Sequence, residues 1–508
     1  MKDEAIYLAI DLGAGSGRVI AGLMNDGRLR LEEVHRFENR VVADGEALFW
    51  DFEGLWSGVL EGLRKAVSRF GADDIKLLGV DTWGVDYGLL DREGRLLARP
   101  RGHRDPRTKG RLEEFMRRLP PEELFAETGI QFLEINTLPQ MCAEAAGEEG
   151  LLGKADLFLL MPDLVNHRLC GRKVCERTNA STTQMYHPGK RAWSERVFEA
   201  AGVPLEVAPE LIDAGEVLGK VLPEVAAQTG LLPGTKVVAV GSHDTASAVA
   251  AVPVERKGRF AYLSSGTWSL LGVEMNEAVM SPLARRYNFT NEVGVFETVR
   301  LLKNINGMWL VQECRRVWKE EGNDWSYPEL AAMAEGAKRF QAMIDPDEPR
   351  FAGRCDMPRV IADYCRETGQ TVPASPGEVL RLVIDSLAFK IRLVLERLEE
   401  VIGERVEVLH IIGGGGQNDS LNQSIASSIN RPVLVGPFEA TAAGNVMMQH
   451  YAAGGIQSLV EGRELIRNSF ETEIFTPAYP EEWTVAYGRF LGVSELTGYP
   501  QSRFGKTN

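Results

Sequence analysis

Hydrophobic and polar positions first fall into short apolar runs separated by tight turns. Ala5–Leu12 (AIYLAIDL) is nearly all apolar, Arg18–Met24 resumes after GAGSG, and Leu29–Phe37 follows the turn Asn25-Asp26-Gly27. This spacing predicts an antiparallel meander. The period then changes: Leu55, Val59, Leu63 and Val67 share one face of a helix predicted over Phe52–Phe70. Ile75–Val80 returns to strand character and runs into DTWGVD. Later, Lys236–Val240 reads as a short buried strand that leads through GSHDTASAV into a helix. The second half repeats the theme: a strand at Arg259–Ser264, a turn at Ser265-Gly266-Thr267, and a strand at Trp268–Val273. A long amphipathic helix over Pro376–Val401 precedes a strand at Val406–Ile412, which ends in GGGGQN and enters a helix near Ser420–Asn430. Asn445–Tyr451 also reads as helical, with no domain assignable to it.

Each half thus opens with a hairpin and continues with strand–helix alternation, the pattern of an internal duplication. A chain of 508 residues exceeds what one core supports, so two domains are expected, 1–247 and 248–508, with the break near residues 245–258. The formal net charge of -15 argues against a general nucleic-acid or anionic-membrane binder. No stretch of membrane-spanning length is free of charge, and MKDEAIYLAI lacks the apolar core of a signal peptide. The six cysteines have no zinc-ribbon spacing. Reduced thiols, Cys355 and Cys365 included, and a cytoplasmic location are expected.

Two glycine loops invite a phosphate reading. In DLGAGSGR, Gly13, Gly15 and Gly17 are spaced GxGxG, and a hairpin follows where a dinucleotide fold needs a helix, so a Rossmann site is excluded. The GKT at Gly505-Lys506-Thr507 has Pro500 where a Walker loop needs glycine. What remains is a glycine-lined turn whose N–H groups can approach phosphate oxygens, with Arg18 adding charge. A hairpin needing positive φ explains one glycine better than three. Asp11, ending an apolar strand, needs a partner: hydrated Mg²⁺ or the amides of the turn. Four consecutive glycines at Gly413–Gly416 exceed what packing alone requires and favour a ligand against the backbone. His243–Asp244 sits at a strand-to-helix junction, where Asp as an N-cap is the local explanation and an active-site carboxylate the alternative.

Taken together, DLGAGSGR, GVDTWGVDYGLLD, HRDPRT, TNASTTQ, SHDTASAV, YLSSGTWSL, LLKNINGMWLVQ and GGGGQN resemble the FGGY family of carbohydrate kinases, nearly end to end. The resemblance implies an α/β fold of two actin-like (ribonuclease-H-like) ATPase domains around a central cleft, closing over ATP and sugar. It implies ATP-dependent phosphorylation of the C1 hydroxyl of a ketose. L-Rhamnulose is expected first, with L-fuculose, L-xylulose or D-xylulose as alternatives, and an actin-like ATPase without sugar chemistry as a distant one. Asp244 would be the catalytic base, kept ionised at a helix start. Gly84, His243, Thr245 and Asn304 would contact substrate. Ala14, Gly15, Ser16, Gly17 and Arg18 would cradle ATP phosphates, Thr267, Gln312 and Gly414 would hold nucleotide, and Asp11 would hold Mg²⁺ through water. In DTWGVD, Trp83 could stack on a sugar face while Asp81 or Asp86 takes hydroxyls, or Trp83 could be core and Asp86 a turn cap. His103, Arg104, Asp105 and Arg107 of HRDPRT could anchor sugar or form a solvated loop. Gly15 and Pro139 depart from the related pattern, which has serine and tyrosine there. The expected partners are ketose and ATP, with no nucleic acid and no membrane, in a monomer or homodimer.

Overall fold

The fold is that of a computed structural model, which describes residues 5–147, 150–254 and 260–496. These fall into two compact units. The first joins the described residues up to 254 with Glu274–Leu301 and Glu439–Phe470; the second joins 260–273 with Leu302–Phe438 and 471–496. A single cut at 247/248 therefore does not describe the division, because two segments of the later sequence return to the first unit. Part of the expected break near 245–258, the strand start at Arg259, and the Gly505-Lys506-Thr507 triplet lie outside the described residues.

In the first unit, β1 (Ala5–Leu12), β2 (Ser16–Asn25) and β3 (Arg28–Glu38) form the expected antiparallel meander. Next come β4 (Ile75–Thr82), β5 (Val217–Lys220) and β6 (Lys236–Val238), giving the sheet order β5-β6-β4-β1-β2-β3. β4 runs parallel to β1, and β6 parallel to β4. The parallel strands read as unbroken apolar runs because both faces are covered. On one face α1 (Phe52–Phe70) buries Leu55, Val59 and Leu63 against Leu8, Val19 and Val80. Asp51 caps its start by accepting from the Gly54 N–H, and Gly71 at φ 83° ends it.

The short helix α2 (Asp244–Ala250) follows β6. In the second unit, β7 (Phe260–Ser265) and β8 (Trp268–Met275) form a hairpin, and β9 (Val299–Asn306) follows. Then come α3 (Pro376–Ile402), β10 (Val408–Ile412), α4 (Asp419–Ile429), β11 (Val433–Val435) and β12 (Glu473–Phe475), with six of the sheet's seven strands in the order β9-β8-β7-β10-β11-β12. β10 is parallel to β7, β11 parallel to β10, and β12 antiparallel to β11. Hairpin, two added parallel strands and an antiparallel edge recur in both sheets, so the duplication read from the pattern is real. A buried Arg381–Asp385 pair on α3 also donates to Ser420 and Ser424, at 3.3 and 2.9 Å, fixing the start of α4 beyond the glycine loop. Such a pair offsets its desolvation cost only with this many hydrogen bonds.

The helix left unassigned by sequence is α5 (Ala440–Ala452), and it belongs to the first unit. Its Gln449 donates to the Leu8 carbonyl at 3.0 Å, and Asn445 donates to the Gly79 carbonyl at 3.2 Å. Gly444 lies so near α2 that a Cβ there would overlap the Ser247 carbonyl oxygen. Among the described residues no helix is long and apolar enough to cross a membrane.

Gly444 and Gly414 differ sharply in the room around them. Gly444→Ala must push α5 from α2 and should cost about 1–3 kcal/mol, the range for overpacking. Gly414→Ala meets no atom within 4 Å and should leave stability unchanged. Urea midpoints check both; an unchanged midpoint for Gly444→Ala contradicts this packing.

Candidate active site

The junction after β6 is held from beneath by Glu176. Its buried carboxylate accepts from Thr178 N at 2.9 Å, Thr178 Oγ1 at 2.5 Å, Ser242 N at 3.0 Å and Ser242 Oγ at 2.8 Å. His243 N in turn donates to Thr178 Oγ1 at 3.2 Å, and Thr82 N donates to the Ser242 carbonyl at 2.9 Å. The end of β4, the TNAST segment and the start of α2 are thereby tied at one point. His243 is the residue that flanks α2, and it makes no side-chain cap; Asp244 is already the first helical residue. The N-cap expectation for Asp244 is corrected accordingly. The hydrogen bonds on Asp244 fall on Oδ1, from Thr245 N at 2.5 Å and Thr245 Oγ1 at 3.1 Å. The side chain keeps 33% exposure, so the group faces accessible space.

Three carboxylates share this end of the sheet. Asp11 and Asp81 are register partners on β1 and β4, and Asp244 follows β6. Asp81 is fully buried, accepts from Asn445 Nδ2 at 2.5 Å, and has one oxygen without a partner. Burial first, then the charge of Asp11 and, less, of Asp244, push the Asp81 carboxyl well above the usual range. Asp244 is also pushed up, chiefly by burial and then by Asp11, against the opposing pull of His243 and Thr245. Helix-start stabilisation was expected to keep it readily ionised. In a helix of 7 residues that small term is outweighed by desolvation and a like charge.

Asp11 pairs with Arg18, which also reaches Glu439 at 2.5 Å. The turn itself is closed by Gly13 N to the Ser16 carbonyl at 2.9 Å and braced by Asn39, whose Nδ2 donates to the Gly13 carbonyl at 3.0 Å. Ala14 and Gly15 are exposed. None of Gly13, Gly15 and Gly17 has positive φ. Gly17 is required because a Cβ would strike the Phe37 ring, whereas one on Gly15 meets open space. A serine at position 15 would therefore fit.

Gly84 packs on Thr182, whose Oγ1 would lie 3.0 Å from a Cβ. Val85 beside it adopts φ 69°, a strained conformation for a β-branched residue. Thr182 Oγ1 accepts from Val85 N at 3.2 Å, and Thr137 Oγ1 donates to the Val85 carbonyl at 2.6 Å, which holds the strain in place. Pro139 sits buried in the first turn of the same short helix as Thr137. The Asp86 carboxylate is taken up by protein groups. It is buried and accepts from Trp50 Nε1 at 2.7 Å, Trp83 Nε1 at 2.8 Å and Gln140 Nε2 at 3.0 Å, with His103 Nδ1 at 2.8 Å. Burial would raise its carboxyl, but His103 and the two indoles more than offset that and lower it. Trp83 is core, its ring tilted at 42° to that of Trp50 with centroids 4.3 Å apart. HRDPRT is not a solvated loop: Asp105 is buried and Arg107 pairs with Glu144 at 2.9 Å.

His243 has neighbours that the sequence did not announce. Its Nε2 lies 3.4 Å from Asp244 Oδ1, and its Nδ1 lies 3.2 Å from both Glu292 Oε2 and Arg300 Nη2. Glu292 and Arg300 come from a returning segment and carry no motif spacing. Glu176, Asn445 and Val85 were missed for the same reason.

The second unit gathers its own set. Thr267, exposed in the β7–β8 turn, donates to Gln312 Oε1 at 3.2 Å. The helix Trp309–Glu320 starts on that turn, with Met308 N donating to the Gly266 carbonyl at 3.1 Å. In the second loop, Gly413 has φ 86°, Gly415 lies against Ser265, and Gly416 lies against Val435. Packing thus explains three of the four glycines, leaving Gly414 exposed and open. Asn304 is half-buried on β9. Among the described residues no group of three or more His, Cys, Asp or Glu is arranged to hold a metal ion.

Known proteins of similar sequence and fold identify the family. Residues 6–251 match the model for the N-terminal domain of the FGGY family of carbohydrate kinases, and residues 261–453 the C-terminal domain. A rhamnulokinase of Bacteroides thetaiotaomicron is 42% identical over 95% of this chain and 98% of its own. One from Enterococcus faecalis is 40% identical over 98% and 100%. In fold, the chain matches a xylulose kinase of Lactobacillus acidophilus with a TM-score of 0.81 at 14% identity, covering 99% and 100%. It matches a glycerol kinase of Plasmodium falciparum with a TM-score of 0.78 at 16% identity, covering 98% and 99%. With both halves of the family matched and the actin-like sheet order present twice, this chain belongs to the FGGY family of carbohydrate kinases.

Proposed function

We propose that this chain transfers the γ-phosphoryl group of ATP to the C1 hydroxyl of L-rhamnulose, giving L-rhamnulose 1-phosphate and ADP. The observation that carries the chemistry is Asp244: an accessible carboxylate anchored through one oxygen, at a junction fixed from behind by Glu176. The sugar is supported by the rhamnulokinases, similar over nearly their whole length. In the reaction the ketose oxygen attacks the γ-phosphorus, the bond to the β-phosphate oxygen breaks, and Asp244 takes the hydroxyl proton. Phosphoryl transfer rests mainly on positioning and charge neutralisation, so a base with a modest share suits it.

Gly84, His243, Thr245 and Asn304 are the proposed sugar contacts. The hydrogen bonds of Thr182 and Thr137 to Val85 hold the Gly84 backbone in place for that use. Ala14, Gly15, Ser16, Gly17 and Arg18 are the proposed phosphate cradle, and Thr267, Gln312 and Gly414 hold nucleotide in the second unit. Arg18 is prepared for phosphate, because its present partners are the side chains Asp11 and Glu439, for which a triphosphate can compete. Mg²⁺ bound through water at Asp11 would neutralise phosphate charge. The surplus of carboxylate that raises Asp81 and Asp244 fits a cation there, and a hydrated ion needs few protein ligands.

A panel of ketoses with Mg·ATP, read by ADP release, should give the highest kcat/KM for L-rhamnulose. A higher value for L-fuculose or a xylulose reassigns the sugar, and inert ketoses throughout reject the kinase reading. Asp244→Asn should lower kcat about 10²–10⁴-fold, the span for a general base, while calorimetry finds ATP and ketose still bound. Retained turnover moves the base elsewhere. Because the Asp244 carboxyl is raised, it takes up its proton at a higher pH than an ordinary carboxylate. Activity should therefore fall on acidification through a pKa above that of a free aspartate; an acid limb at or below the ordinary value contradicts this environment.

A further inference from the structure

His243 can carry its proton on either ring nitrogen, and the two forms do opposite things beside Asp244. The surroundings discriminate between them. Arg300 is wholly buried, and its Nη2 makes an aligned hydrogen bond of 3.2 Å with His243 Nδ1. A guanidinium only donates, so this bond exists only when Nδ1 is unprotonated. Glu292 Oε2 lies at a similar 3.2 Å from Nδ1 but accepts no aligned hydrogen bond. It pairs instead with Arg300 Nη2 at 3.1 Å, while the Val293 carbonyl accepts from Arg300 Nε at 3.2 Å and Nη2 at 3.1 Å. Burial opposes ionisation of Glu292, yet the charge of Arg300 beside it holds its carboxyl below the usual range, so the anchor stays charged.

We propose that Arg300, anchored by Glu292 and the Val293 carbonyl, is a positioning residue that fixes His243 with its proton on Nε2. The ring then becomes a hydrogen-bond donor toward Asp244 Oδ1, 3.4 Å away. Thr245 N and Oγ1 already donate to the same oxygen. The two Thr245 hydrogen bonds on Oδ1, with the Nε2–H turned toward the same oxygen, orient the carboxylate so that Oδ2 is the oxygen left to take the substrate proton. The other tautomer would turn a lone pair against the carboxylate and loosen that orientation. The inference rests on the reading of Asp244 as the base, but the state of the ring can be measured without turnover.

Long-range ¹H–¹⁵N spectra of the full chain, labelled at histidine and assigned by the signal lost in His243→Gln, report the tautomer directly. An unprotonated Nδ1 with a protonated Nε2 at neutral pH is expected; a protonated Nδ1 overturns the proposal while leaving the role of Asp244 untouched. Arg300→Lys should move the proton to Nδ1, where Glu292 can accept it, and lower kcat about 10- to 100-fold, as loss of an orienting partner does. The KM for ketose should change less. Glu292→Gln should keep the proton on Nε2 and lose less activity than Arg300→Lys. An ion pair that serves stability alone predicts no tautomer change and equal losses, which would reject the idea. If Arg300→Lys does not fold, the parent and Glu292→Gln spectra decide.

Discussion

The buried carboxylate of Glu176 is the constraint on which the site depends. A carboxylate without water is tolerated only when its lone pairs are taken, and here four donors from Thr178 and Ser242 take them. Because those donors belong to segments far apart in sequence, satisfying one charge fixes the backbone of both. His243 and Asp244 follow Ser242 directly, so their placement inherits the rigidity of this knot. The same device recurs at Asp86, whose donors Trp50, Trp83, His103 and Gln140 settle the backbone next to Gly84. The backbone before Asp244 and the backbone beside Gly84 are thus each built on a buried carboxyl group ringed by donors.

The reactive face, by contrast, is left electrostatically unsettled. Asp11, Asp81 and Asp244 repel one another, and the molecule answers with a raised carboxyl at Asp81, a raised carboxyl at Asp244, and Arg18 on Asp11. A protein built only for stability would not gather three carboxylates at the ends of parallel strands. In the proposed reaction that conflict would be relieved by positive charge and by a proton, both of which belong to phosphoryl transfer. Gly444 shows how tightly the supporting helices must pack to hold this face, since even one methyl group meets backbone.

Much of this was legible in the chain because local period and local chemistry agreed. The meander from Ala5, the helix over Phe52–Phe70 and the strand ending in GGGGQN all follow from apolar spacing, and the structure reproduces them within a few residues. Asp244, the first glycine turn and Gly414 could be singled out because charge or small residues at strand ends are hard to explain by burial. What the pattern could not give were partnerships between distant segments. Glu176, Glu292, Arg300 and Asn445 are ordinary residues in ordinary stretches, and only folding brings them to the junction. The partners of Asp86 were likewise out of reach of the pattern, because Trp50, His103 and Gln140 lie in other segments. The four glycines were over-read, since close approach of Ser265 and Val435 accounts for three of them.

The most direct test is a crystal structure of the chain with L-rhamnulose and a non-hydrolysable ATP analogue. The account predicts the C1 hydroxyl within about 2.6–3.2 Å of an Asp244 oxygen, the reach of a general base, and in line with the γ-phosphorus. Finding that hydroxyl on Asp11 or Asp81 instead, with Asp244 facing only Thr245 and His243, would contradict it.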